Sequence, residues 1–464
     1  YTTASEAENN YIDDGLTVGE TYYYRIKVYD ENGISSDFSG DFSATIPTSF
    51  IVSKETGSEN GFGSAENPYL TIQRAVDSAI NKDVIIVSPG TYNENVVMFD
   101  KMVSVTTSDP NNSASTTIID GGSNGSPVFK IDGNGSDFGG LSGNIEISGF
   151  ILKNGLSPTY EVPGGLLIRR TNSSSINISI SHLIIENNQA INASGGSYFY
   201  YTNLIEVSDV IYRNNTGKSS SAMGAFNAQF SLNRGVFYNN TSEGYTFDFW
   251  HNSSSSQFST INNSLIRNNS DNGAFNIMDG ILMNTTIIDN GSEMKFRGNS
   301  AIVNSIVTSG QFISSADGLL KIHNSHIEDG QSSVDIFPSF LTYENNLEGD
   351  IYFNDVTNSE YTLSEYSPAI GSGINSINLY TIAYNLESYL DLNSGARPLP
   401  EGTNIDIGAY ENSLGTNTHN TDIYVSINNG SNDGSVGEEA APFQTMQAAI
   451  NYALNGDTIY VLPG

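Results

Sequence analysis

The chain has 464 residues, more than one ordinary domain needs, so two or more units are expected. Asp and Glu number 51 against 18 Lys and Arg, a formal charge of −33 that repels phosphate backbones and excludes nucleic acid and anionic membranes as partners. Cysteine is absent, which rules out disulfides and thiolate chemistry, and no apolar run reaches the ~20 residues of a membrane-spanning helix.

Residues 1–47 read as two strands around a turn at Asn32-Gly33. Leu16, Gly19 and Tyr22 give the spacing Leu-x-x-Gly-x-x-Tyr, which resembles the tyrosine corner of fibronectin type III domains. Tyr24, Ile26 and Val28 are then expected to alternate as its inward strand. Such a sandwich takes about 100 residues, so 1–47 is expected to be the C-terminal half of one, and the chain a piece of a longer multidomain protein in which it is monomeric.

Residues 67–90 recur at 441–464: Pro68/Pro442, Thr71/Thr445, Gln73/Gln447, Ala75/Ala449, Asp83/Asp457 and the final Pro-Gly all match. Both copies carry apolar residues at helical spacing, Ile72, Ala75, Val76, Ala79 and Ile80 in the first, Met446, Ala449, Ile450, Ala453 and Leu454 in the second. Each predicts a strand, a Gly/Asn-rich turn, a short amphipathic helix and a second strand.

Between the copies, the phrases "FILKNG", "LIIENN", "VIYRNN", "VFYNNT", "SLIRNN", "TIIDNG", "SIVTSG" and "SHIEDG" recur at intervals of roughly 20–33 residues. Taking Asn154, Asn187, Asn214, Asn240, Asn268 and Asn290 as the corner aligns apolar columns two and seven residues earlier, the second broken by Asn233. Stacked coils with apolar columns inside and Asn at the corners predict a parallel β-helix. The column three before the corner (Ile151, Ile184, Ile211, Phe237, Leu265, Ile287, Ile306) shares strand parity with the charged column beside the corner. Either a kink turns it inward, the preferred reading, or a covering segment buries it.

"NPYLTIQRAVDSAINKDVIIVSPGTYNENV" resembles the cap and first coil of secreted bacterial right-handed β-helix proteins of the pectate-lyase-like class. "YTLSEYSPAIGSG" and "ARPLPEGTNIDIGAYE" resemble the closing segment of a subgroup with varied anchoring ends. The resemblance implies an all-β chain: a right-handed parallel β-helix at 48–412, with its cap at 50–100, coils at 101–345 and closing segment at 346–412. The fibronectin-like half-domain precedes it. A linker at 413–421 and the start of a second β-helix at 422–464 follow. The class implies a secreted or cell-surface location.

Candidate sites are sparse. Beside the corner, Lys153, Glu186, Arg213, Arg267 and Asp289 are expected to pair from coil to coil as a charge ladder or groove, each pair contributing ~0.2–1 kcal/mol. "SYFYYTN" and "GYTFDFWH" supply Tyr200, Tyr201, Asp248, Trp250 and His251 as candidate carbohydrate contacts, unless alternate members only fill the core. Asp132, Asn134, Ser136 and Asp137 alternate oxygen donors as a candidate Ca²⁺ loop that lacks the distal Glu of an EF-hand. No cofactor is otherwise required. No Asp/Glu trio clusters with one Arg, and no nucleophile elbow or phosphate loop occurs. The expected function is a non-catalytic, adhesion-type bacterial surface protein whose partner is polysaccharide or another cell-surface glycan. The alternative is a polysaccharide lyase or glycoside hydrolase acting on an acidic glycan in the solenoid groove.

Overall fold

The structure, a computed structural model, describes residues 20–29, 33–45, 49–113, 116–133, 143–171, 176–251, 258–308, 312–315, 318–417, 419–432, 437–453 and 457–464. Between 49 and 344 strands of mostly two to seven residues stack in parallel as a right-handed β-helix. A full coil contributes a first-face strand such as Ile176–Ser181, a second-face strand such as Ile184–Glu186, a short corner strand such as Gln189–Ala190 and a third-face strand such as Ser197–Thr202. In Leu204–Arg213 and Gln229–Tyr238 the first two run together, and only four coils carry the corner strand among the described residues. Alternation within Ile176–Ser181 sends Ile176, Ile178 and Ile180 into the core.

The corner after the second face is built from two adjacent columns. Asn154, Asn187, Asn214, Asn239, Asn268 and Asp289 adopt φ of 57°, 55°, 55°, 55°, 53° and 51°, the left-handed conformation that Asn and Asp tolerate best among residues with a side chain. The next residues, Asn188, Asn215, Asn240, Asn269 and Asn290, are buried. The Nδ2 of each of the first four donates to the Oδ1 of the next coil's Asn, at 3.1, 3.0, 2.9 and 2.8 Å.

This corrects the predicted columns by one residue in the fourth and sixth coils. Asn240 and Asn290 belong to the buried ladder, and Asn239 and Asp289 turn the corner. Phe237 and Ile287 therefore point into the core, and Leu232 pairs with Val207 and Ile261, so Asn233 breaks nothing. A repeated Asn-Asn or Asp-Asn pair reads equally well in either register; only the φ at the corner separates them.

No kink turns the outward row inward. It consists of Ile151, Ile184, Ile211, Val236, Leu265, Thr286 and Ile306, and its upper members are covered from outside. The 346–412 segment folds back along the flank of the solenoid. Leu363, Ala369, Ile370 and Ile407 bury Ile306; Tyr361 packs on Leu265 and Ile288; Leu379, Leu386 and Ile405 cover Ile281, Met283, Ala301 and Val303. Hydrogen bonds fix the register: Gly408 N–H donates to Asn304 O (2.8 Å), and Ala409 N–H to Thr286 Oγ1 (2.9 Å). At Gly408, with φ 110°, a Cβ would meet Ile306 Cδ1 at 2.8 Å and Thr286 Oγ1 at 2.9 Å, so the close approach needs glycine.

The Ser-Pro-Ala-Ile and Asp-Ile-Gly-Ala-Tyr-Glu stretches form one clamp. Asp406 accepts from Gly371 N–H (2.7 Å) and Asn412 N–H (2.6 Å), while Glu411 accepts from the fully buried Arg397 at 2.6 Å. Burial, with the nearby Glu411 charge, pushes the Asp406 carboxyl up to about 7.

Both strand–helix–strand units are present. Helix Ile72–Ser78 is capped by Thr71, and Glu94 accepts from Ile72 and Gln73 N–H at 2.9 and 2.8 Å; Met446–Tyr452 is capped in the same way by Thr445. Strands Ser49–Val52 and Val84–Val87 pair in parallel, as do Asp422–Val425 and Thr458–Val461. The first helix ends before Ile80, which is exposed rather than apolar-face. Leu454 lies outside the described residues.

At the N-terminal end, Thr21–Tyr24 and Phe42–Thr45 form an antiparallel pair. Leu16, Gly19 and Asn32 of the predicted tyrosine corner and turn lie outside the described residues. Ile26 and Val28 are exposed, and no second sheet packs on this ribbon among the described residues.

Two outcomes follow from this packing. Asn240→Ala strips an acceptor from both Asn215 donors and is expected to cost about 1–3 kcal/mol in chemical denaturation, whereas Asn239→Gly, at the left-handed corner, is near neutral; equal losses would contradict the two-column assignment. Asp406 binds its proton more tightly folded than unfolded, so its stabilising contribution is complete below pH ~4 and is lost as pH rises through about 7. Hydrogen exchange at the Gly371 and Asn412 amides should accelerate across that window beyond its intrinsic pH dependence, and Asp406→Asn should abolish the excess.

Candidate functional site

With the outer rows of the first and second faces covered in the upper coils, the third face is the strand surface left open there. Alternation over Phe247–Trp250 and Tyr198–Tyr200 decides what it shows. Phe199, Phe247 and Phe249 enter the core, and Tyr198, Tyr200, Asp248 and Trp250 point out. Register then aligns Asp132, Arg169, Tyr200, Phe226 and Trp250 in one row, and Tyr198, Gly224, Asp248, Asn276 and Lys295 in the next.

The geometry of the rows limits their chemistry. Tyr200 and Phe226 stack on each other across coils (5.7 Å, 20°), and Arg297 lies 4.4 Å over the Trp250 ring, so the flat faces are engaged within the protein. What remains outward is ring edges and polar atoms. Asp248 Oδ1 accepts from Trp250 Nε1 (2.7 Å) and Asn276 Nδ2 (2.8 Å), and burial raises its pKa against those donors and Arg297. Two further carboxylates on the face are also bonded. Glu293 accepts from Tyr245 and Ser314 (3.0 Å each), and Asp132 receives Arg169 (2.7 Å) and Lys130 (3.1 Å).

Tyr201 is exposed at φ 51° and meets Tyr200 edge-on at 4.7 Å. His251 leaves the face and lies with Nε2 3.1 Å from Asp279. Thus four of the five aromatic-cluster candidates gather on the third face or its rim and the histidine does not. Tyr198, Phe226, Asn276, Lys295 and Arg297 were not singled out from sequence. Their signal is the same period-2 alternation in "GAFNIM" and "EMKFR", but loops of unequal length hide which coil neighbours which.

The charge ladder forms in one place. Arg213 binds Glu186 at 2.6 Å and also donates to Tyr238. Lys153 pairs with Asp120 of the preceding coil (3.7 Å) rather than with Glu186, Arg267 lies over Tyr238 at 4.6 Å, and Asp289 turns the corner. The register slip in the fourth and sixth coils accounts for the change at Arg267, since Tyr238 and Ile288 are its true neighbours; Lys153 does stand opposite Glu186 but turns to Asp120 on its other side.

Of the candidate Ca²⁺ loop, Asn134, Ser136 and Asp137 lie outside the described residues. Burial works to raise the pKa of Asp132, but Arg169 and Lys130 outweigh it and hold the carboxyl below its ordinary value. A cavity of about 860 Å³ opens between the last coils and the start of the closing segment, lined by His326, Glu328, Asp329, Glu348 and Asp350 among others. Burial lowers the His326 pKa. Among the described residues no three His, Asp or Glu side chains converge enough to hold a metal ion, and no helix is long and apolar enough to cross a membrane.

No family model matches the chain, and no curated protein does. Solved structures similar to it include the pectate lyase Pel9A (TM-score 0.46, 12% identity, covering 78% of this chain and 96% of that one) and a rhamnogalacturonan lyase (0.39, 11%, 67% and 92%). The pectin methylesterase PemA from Erwinia chrysanthemi is another (0.35, 11%, 70% and 95%). At such identities the likeness concerns the coiled architecture and carries nothing about chemistry.

Asp248→Asn keeps both hydrogen bonds to Oδ1 and removes a half-buried charge. Because the folded pKa is raised, the cost of that charge appears as pH rises above the ordinary carboxylate range. The variant should melt above the wild type at pH 8, with the gap closing at pH 4; a lower melting point at pH 8 would show that the charge is stabilising.

Proposed function

We propose that this chain is a rigid, non-catalytic part of an extracellular, adhesion-type bacterial surface protein that presents its third face to polysaccharide. The observation that carries the reading is the burial of the upper outer rows of the other two faces under 346–412, which leaves a polymer the third face to lie along in those coils. On that face Asp132, Asp248 and Glu293 are already hydrogen-bonded or ion-paired, and the rings of Tyr200, Phe226 and Trp250 are in contact with neighbouring side chains. Polar edges suit hydrogen bonding to sugar hydroxyls more than covalent chemistry. The recurrence of the strand–helix–strand unit supports a repeat architecture, and the charge of −33 suits a chain kept dispersed outside a cell.

A lyase or hydrolase reading rests on Asp248, whose raised pKa is what a general acid needs. The two readings separate by experiment. Incubation with acidic and neutral polysaccharides should release neither unsaturated products nor new reducing ends. Affinity electrophoresis in the same polysaccharides should show retardation that Trp250→Ala and Arg297→Ala each weaken by about tenfold, or ~1.4 kcal/mol. Product formation that Asp248→Asn abolishes would establish the enzyme instead.

A further inference from the structure

The connection to the second strand–helix–strand unit contains a buried polar contact inside an aromatic box. His419 Nε2 lies 2.6 Å from Asp457 Oδ2, and both side chains are almost fully enclosed, 5% and 4% exposed. The imidazole stacks on Tyr452 of the second helix at 5.0 Å and 26°. Tyr366 of the closing segment packs edge-on against both rings, at 5.7 Å and 5.9 Å, and Phe443 lies 5.2 Å from Tyr452. Three parts of the chain thus meet at one point: the flank of the solenoid, the linker and the second unit.

In the second unit the matching aspartate gains a partner that the first does not show. Asp83 turns its Oδ2 to Ile80 N–H of its own unit at 2.8 Å. Asp457 reaches outside its unit to His419. A buried carboxylate that loses a charged or polar partner suffers the full desolvation penalty, and exclusion of water by three rings strengthens the bond that remains. Rotation of the second unit away from the flank must separate Tyr366 from His419 and Tyr452, and the His–Asp contact keeps His419 in place on the second unit for Tyr366 to meet.

We infer that His419, held by Asp457 and boxed by Tyr366 and Tyr452, is a latch that fixes the second unit in one orientation on the closing segment. The inference rests on the reading of the chain as a rigid repeat protein and names the joint that supplies the rigidity. The chain has no cysteine, so Glu243→Cys and Glu439→Cys, both at exposed positions, place one spin label on the solenoid and one on the second unit. Pulsed dipolar spectroscopy should give a single narrow distance distribution in the otherwise wild-type chain. His419→Ala should broaden it at least twofold, and His419→Gln, which keeps a donor, should recover part of the narrowing. Tyr366→Ala, whose change lies on the solenoid side, should broaden it with the second unit's fold intact by circular dichroism. A broad wild-type distribution, or His419→Ala and Tyr366→Ala distributions as narrow as wild type, would overturn the latch. Glycan turnover would instead overturn the non-catalytic reading without touching the distance result, so the two failures are distinguishable.

Discussion

The constraint on which the molecule depends is the parallel pairing of each rung with the next. Hydrogen-bonded strands about 4.8 Å apart force like positions into rows, so any residue type placed once is placed again directly above itself. A buried Asn can then satisfy the coil beside it through a ladder of carboxamides, and a left-handed Asn or Asp can turn the chain at the same place each time. The same rule carries a hazard. An outward apolar residue repeated on every coil becomes a stripe, which must be covered or it will bind something.

The covering is done within the chain. The 346–412 segment runs alongside the coils and buries the stripe laterally, with Gly408 allowing the approach and Arg397, Asp406 and Glu411 holding the segment's own shape. The choice has a functional consequence. Covering the outer rows of two faces in the upper coils leaves the third, with Asn276, Lys295 and Arg297, as the strand surface open there.

The distribution of charge reinforces that division. A net charge of −33 is spread over a chain in which several of the few cations are already matched: Arg213 with Glu186, Arg234 with Asp209, Arg169 and Lys130 with Asp132, Arg397 with Glu411. Most of these pairs span neighbouring coils, as stacked rungs favour, so the cations serve to hold one rung to the next.

The fold was legible in the sequence because recurrence is a sequence property. Phrases such as "LIIENN" and "VIYRNN" state the period, and the two copies of the strand–helix–strand unit state the repeat, without knowledge of any contact. Register by one residue was not legible at "VFYNNT" and "TIIDNG", since adjacent Asn-Asn and Asp-Asn pairs score alike in a pattern and differ only in backbone φ. Nor could the chain text say that Ile306 would meet Ile407, or that Tyr200 would face Phe226 while Arg297 covered Trp250. Those outcomes depend on which distant segments lie against one another and on loop lengths that set the coil-to-coil neighbours. The sequence by itself determined a stack of parallel coils. Which of its faces stay open was decided by tertiary packing, because burial of an outward row requires a partner from elsewhere in the chain.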